Sequence, residues 1–195
     1  MLSKRMRIQV TRKLIILALV AGCGTAVIGS TLQRLSLSDL ILKSTMIVRG
    51  TIQPGTSAAL RGSLIYTHYQ LSVTNAYKGA VGQTIDVAVP GGVLNGMQQP
   101  VAGAPMLAPG KDYVIFLWTS KSGLTQVIGL SQGLFNVTTN AQGQVMVSRG
   151  AASSTMLDSA GNSVADSDLQ MPLVQLVNAI QAALAANSGP GNSGQ

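Results

Sequence analysis

Between Leu64 and Tyr77 the chain alternates: Ile65, Tyr69, Leu71, Val73 and Tyr77 fall on one face, His68, Gln70, Ser72 and Thr74 on the other. Successive side chains of a strand point to opposite sides, so a period of two sustained this far specifies a long strand and excludes a helix. A strand of that length bends and serves two faces, as barrel strands do. Shorter strands are expected at Thr45–Ile52, ending at Pro54-Gly55, then at Gln83–Val89, Lys111–Trp118, Thr125–Ile128 and Leu134–Thr138. Asn140-Ala141-Gln142-Gly143 turns the chain into a last strand, Gln144–Val147. Such a run of strands with hairpin signals makes the chain mainly β and favours a small closed or partly closed barrel, with a flat sandwich as the alternative.

Two helices flank the strands. Ser36 caps a short amphipathic one whose apolar residues are Leu37, Leu40 and Ile41. Pro172 suits the first turn of the other, where Leu173, Leu176, Val177, Ile180 and Leu184 recur at helical spacing. Its opposite face carries Gln175, Asn178 and Gln181 and no basic residue, so the stripe is expected to pack on the barrel and not on a membrane.

The first thirty residues belong to export. Lys4, Arg5, Arg7, Arg12 and Lys13 precede an apolar run, Leu14 to Ala21, which ends in small residues and the single cysteine, Cys23. Val20-Ala21-Gly22-Cys23 resembles the lipobox of bacterial lipoproteins, in which the peptidase cuts before the cysteine and the thiol carries diacylglycerol. Two alternatives stay open: ordinary cleavage near Gly29 or Ser30, or an uncleaved anchor from Leu14 to Ile28, shorter than the ~20 residues that span a bilayer. The lipoprotein reading is preferred. The expected organisation is a signal over 1–22 (or 1–30), a tether over 23–34 and a barrel over 35–148. A polar loop over 149–167, a helix over 168–186 and a disordered tail over 187–195 follow.

The formal charge of +7 over 195 residues is unevenly placed. Five of the thirteen basic residues precede Leu14, which leaves eight, scattered, against six aspartates. No basic stripe interleaved with aromatics remains, so nucleic acid is not an expected partner. The chain has no Glu, one His and one Cys, which gives little material for a metal cage, an acid–base pair or a disulfide. No metal, cofactor or catalytic residue is therefore assigned. His68 lies on a polar strand face with no acidic partner in view, and no Gly-x-Ser-x-Gly elbow occurs. Asp158, Asp166 and Asp168 share a polar loop but lack calcium-loop spacing. Tyr113, Phe116 and Trp118 are expected to pack in the core or at the barrel rim, Tyr113 and Phe116 facing opposite ways.

The order of motifs is similar to that of an uncharacterised family of exported bacterial proteins. These motifs are Met46-Ile47-Val48-Arg49-Gly50-Thr51-Ile52, Tyr66-Thr67-His68-Tyr69 leading to Tyr77-Lys78-Gly79, and Gly110-Lys111-Asp112-Tyr113-Val114-Ile115-Phe116-Leu117. Over roughly residues 36–138 it also resembles the netrin-like OB-fold barrel of tissue inhibitors of metalloproteinases. That resemblance implies an OB-like (netrin-like) barrel and, as a partner, an extracytoplasmic peptidase. Those inhibitors chelate the protease zinc through a free N-terminal cysteine amine held by disulfides. One cysteine forms no internal disulfide and a lipidated Cys23 offers no free amine, so that mechanism does not carry over, and inhibition through another surface stays open.

The candidate binding element is the aperiodic stretch from Pro90 to Gly110. Long loops are uncommon in compact domains and often carry binding. Gly91 and Gly92 permit positive φ and close backbone approach, and Asn95, Met97, Gln98 and Gln99 supply contact groups. The alternative is a loop that only crosses the barrel end. The resulting expectation is an exported, lipid-anchored, non-catalytic binding protein of the bacterial cell envelope, or a secreted or periplasmic one. Its expected partners are the membrane, through the N-terminal lipid or signal segment, and another protein.

Overall fold

The computed structural model describes residues 32–152 and 155–188. Cys23, the signal segment and most of the expected tail lie outside the described residues. Within the expected tether, β1 (Leu32–Gln33) is already ordered. Helix α1 (Leu37–Lys43) follows and has the predicted cap: Ser36 Oγ accepts from the Asp39 amide, and the Asp39 carboxylate accepts from the Ser36 amide. Asp39 also pairs with Lys43 at 2.8 Å. Lys43 and Ser36 together hold its carboxyl down at about 2.

Strand β2 (Met46–Arg61) is twice as long as the sequence suggests. It runs through Pro54-Gly55 instead of ending there. Two extra residues on β2 oppose β3 (Leu64–Lys78) between the pairs Ile52↔Leu71 and Thr56↔Tyr69. Beyond Ile52 the strand has a ladder partner on one side only among the described residues, so proline costs no ladder bond and the bulge absorbs it. Two further shifts, between Ile47/Val48 and Arg49/Gly50, leave Tyr77 and Thr74 as the extra residues on β3. Val73 consequently packs in one core and Tyr77 in another. Strand β4 (Thr84–Pro90) pairs with β3.

The stretch after Pro90 is not structureless. It begins with a small hairpin, β5 (Gly92–Leu94) and β6 (Met97–Gln99), turned by Asn95-Gly96, both at positive φ. Strands β7 (Asp112–Thr119), β8 (Thr125–Val127) and β9 (Leu134–Thr139) lie where expected, and a 3-10 turn, Leu130–Gly133, precedes β9. Asn140 Oδ1 accepts from the amides of Gln142 and Gln144 and sets the turn into β10 (Val145–Arg149).

The expected polar loop carries two short strands, β11 (Met156–Leu157) and β12 (Ser163–Val164), and buries Met156 completely. It is fastened by an ion pair between Arg149 and Asp166, whose side chains are 6% and 1% exposed. The last helix, α2 (Leu173–Asn187), starts later than the expected 168, because Leu169–Pro172 forms β13 against β10. Among the described residues no helix is long and apolar enough to cross a membrane.

The chain is mainly β, as expected. The main sheet has eight strands in the order β13-β10-β9-β7-β2-β3-β4, with β8 on β7. β7 shares its second edge, giving Tyr113–Ile115 to β9 and Leu117–Thr119 to β8. β8 comes close to β4, yet no ladder joins them, so the sheet stays open and the expected closure is not realised in hydrogen bonds. Both faces are covered. Val48, Ile52, Leu71, Val87, Tyr113, Ile115 and Leu117 pack inside the curve. On the outer face Ile47, Val114, Phe116, Phe135 and Val147 meet Leu40 and Ile41 of α1 and Leu176 and Ile180 of α2, as the stripe predicts. Two buried faces explain why Tyr113 and Phe116 face opposite ways and are both buried, while Trp118, beyond the core, is 43% exposed.

Candidate functional site

The six candidate residues between Gly91 and Gln99 divide into scaffold and surface. Gly91, Gly92 and Gln99 fasten the hairpin. The Gly91 amide donates to Ile65 O (2.7 Å) and Thr67 Oγ1 donates to Gly91 O (2.8 Å). A Cβ on Gly92 would fall 2.2 Å from Thr67 Oγ1, and one on Gly91 would fall 2.8 Å from Gln99 O. These glycines let the chain approach itself. Gln99 caps the free start of β3: its Oε1 accepts from the Ile65 amide (2.6 Å) and its Nε2 donates to Ser63 O (3.1 Å). Asn95 shapes the turn at φ 51°.

Met97 and Gln98 stay outside. With Gln99 they wall one side of a groove of about 350 Å³, and Leu60, Ser63 and Ile65 form the other. Met97 is 58% exposed and Leu60 54% exposed. The far wall, at the tip of the β2–β3 hairpin, was not legible as a site. Its one signal is Leu60, an isolated large apolar residue in the run Thr56-Ser57-Ala58-Ala59-Leu60-Arg61.

His68 has the acidic partner that the sequence reading denied it. Its Nδ1 lies 2.8 Å from Asp86 Oδ2, and Gln70 Nε2 donates to Asp86 Oδ1. Adjacent strands bring them together: Asp86 lies opposite Gln70, two residues from His68 on the same face. Ser57 sits directly opposite His68 on β2. No hydrogen bond joins the two.

The motifs behind the resemblance do scaffold work. Lys78 Nζ donates to Ile41 O (2.7 Å) and Leu42 O (2.9 Å), completing the C-terminus of α1 with a cation where the helix dipole favours one. A Cβ on Gly79 would meet Thr45 O at 2.6 Å. Arg49 Nε and Nη2 both donate to Asp112 Oδ2, tying β2 to β7 and raising the guanidinium further above its ordinary value. Tyr113 Oη accepts from the Ala108 amide.

No protein-family model matches the chain, and no curated protein or solved structure does. The site is therefore read from its own geometry. Asp158, Asp166 and Asp168 do not converge on a cation. Asp158 accepts from the Ala160 and Asn162 amides, Asp168 from the Ala151 amide, and Asp166 from Arg149 and the Ala152 amide. The Asn162 backbone and side chain hold the Asp158 carboxyl below its ordinary value. Among the described residues no three His, Cys, Asp or Glu side chains gather in a metal-binding group.

Proposed function

We propose that this chain is an exported protein of the bacterial cell envelope, held at a membrane through lipid on Cys23, that works by binding another protein and not by catalysis. The observation that carries the binding half is the groove between the two hairpin tips. Leu60 and Met97 expose apolar surface there, on hairpins fixed by Gln99, Gly91 and Thr67, and Gln98 and Ser63 supply polar groups at its margin. Rigid apolar anchors with a polar rim are what protein recognition uses. Supporting the anchoring half is the order of basic, apolar and small residues before Cys23. We read the curved part of the sheet, β8-β7-β2-β3-β4, as OB-like, because β8 lies beside β4 and these strands share one core.

The second reading makes the partner an extracytoplasmic peptidase. It draws on the motif order, whose residues have scaffold tasks here, so it now leans on the same groove.

Two measurements test this. Intact mass from the native membrane fraction should begin at Cys23 and include acyl chains, and a Cys23→Ala chain should lack them; a lipid-free mass starting near Thr31 removes the anchor. Capture from envelope extract should recover a protein with the native chain. A chain carrying Met97→Ala and Gln98→Ala should recover about tenfold less or below, with its melting temperature unchanged. Equal recovery removes the groove, and a captured peptidase favours the second reading.

A further inference from the structure

We propose that two copies of this chain pair edge to edge through β2, at Thr56–Leu60, so that one sheet runs across both molecules. Leu60 also walls the groove, but the pairing rests on which way the backbone groups point. β3 pairs along the whole of β2, but β7 covers the other edge only from Met46 to Thr51. No backbone bond crosses that second edge at Thr56–Leu60 among the described residues.

In an antiparallel ladder, residue pairs alternate between those that exchange both bonds and those that turn them outward. Ile65 is of the outward kind: its amide donates to Gln99 Oε1 and its carbonyl accepts from Gly91. Leu60 lies opposite Ile65, so its own N–H and C=O face the free edge, as do those of Ala58 and Thr56. Ser57 and Ala59 turn theirs to His68 and Tyr66. Ile52 confirms the parity from the other end, because it bonds to Lys111 and Gly110 on the β7 side.

Native sheets guard such edges with charge, proline or bulges. Here the guards stand only at the ends, with Pro54-Gly55 before Thr56 and Arg61 after Leu60. The five residues between are uncharged, and all but Ala58 are exposed. They complement themselves. Paired antiparallel about Ala58, Thr56 meets Leu60 of the second copy, Ala58 meets Ala58, and Leu60 meets Thr56. Each of these pairs exchanges two hydrogen bonds. Small side chains at the centre bring no clash.

Arg61, whose guanidinium donates to Ser122 Oγ within its own copy, then falls opposite Gly55, which leaves the two Arg61 Cα atoms about 20 Å apart along the strands, well beyond the ~8 Å screening length at physiological salt. Registers that slide the two Arg61 together set like charges against each other, so charge selects this one.

The test uses the full chain in detergent and in envelopes. Ala58→Pro removes an amide that bonds nothing within one copy, so the melting temperature should hold while self-association, followed by sedimentation, weakens about tenfold or more. Ala59→Pro removes a bond to Tyr66 and should loosen the hairpin itself. Ala58→Cys places two thiols across the symmetry axis, with Cα atoms ~5.5 Å apart and within disulfide range. It should cross-link about tenfold more than Ala59→Cys, over the background set by the native chain with Cys23 alone. A chain that is monomeric at every concentration, or one that adds a strand from a different protein, overturns the proposal. So do equal cross-linking at both positions and a dimer indifferent to Ala58→Pro. An Ala58→Pro chain that fails to fold overturns it as well, since the parity would then be wrong.

Discussion

Replacing Asp166 by alanine should lower the unfolding free energy by about 3–5 kcal/mol, read from denaturant midpoints at pH 7. Arg149 and Asp166 meet as a fork, Nη1 to Oδ2 at 3.0 Å and Nη2 to Oδ1 at 3.1 Å, and Asp166 also accepts from the Ala152 amide. Both side chains are buried, and Arg149 Nε already has no partner. Without Asp166 a buried guanidinium would keep its charge and lose its acceptors. Replacing both residues, Arg149→Met with Asp166→Leu, should recover much of the loss, because breaking a buried pair costs more than exchanging it for apolar packing. A loss below about 1 kcal/mol would instead mean that water reaches the guanidinium.

The pH dependence has a definite sign. Burial alone would push the Asp166 carboxyl up, but the Ala152 amide and the Arg149 guanidinium outweigh it and hold the group below its ordinary value. Its contribution is therefore complete above the usual aspartate range, about 3.9, and fades as pH falls through the lowered value. The gap between native and Asp166→Ala proteins should narrow in acid.

Gly50→Ala should cost about 2–3 kcal/mol, or roughly 4–12 °C in melting temperature. A Cβ there would fall 2.2 Å from Ser72 O and 3.0 Å from Ser72 C. Those atoms are backbone of β3, at one of the bulges, and no rotamer relieves the contact; β2 and β3 must separate. Gly150→Ala makes the contrast, since its Cβ would enter open space, and it should leave the melting point level or slightly raised. If Gly50→Ala were equally mild, β2 and β3 would be less tightly apposed at the bulge than the geometry requires.

Periodicity made β3, α1 and the stripe of α2 legible, whereas β7 and β9 showed as short runs rich in β-branched and aromatic residues, β7 being buried on both faces. The misses have different causes. Pro54-Gly55 reads as a stop, and only the vacant second edge of β2 makes it tolerable. Asn95-Gly96 is a hairpin signal in itself, but its three-residue flanks are too short to show alternation. β11 and β12 are shorter still, and the Arg149–Asp166 pair that holds them spans seventeen residues. The His68–Asp86 pair needed the β3–β4 register. The candidate site was half visible: Met97 and Gln98 line the groove, whereas Leu60, Ser63 and Ile65 come from another hairpin that nothing local links to them.

The start of the described chain has a mechanical consequence. The Leu32 amide donates to Thr155 O and the Arg34 amide to Leu157 O, along a parallel pair. The buried Gln132 side chain grips the same segment by accepting from the Leu35 amide and donating to Gln33 O. A pull along β1 from its N-terminal side runs across these bonds, so they share the load instead of opening one after another. The tug ends at Gln132 and the β1–β11 pair. The hairpins around the groove sit in series behind that clamp and stay unloaded until it yields.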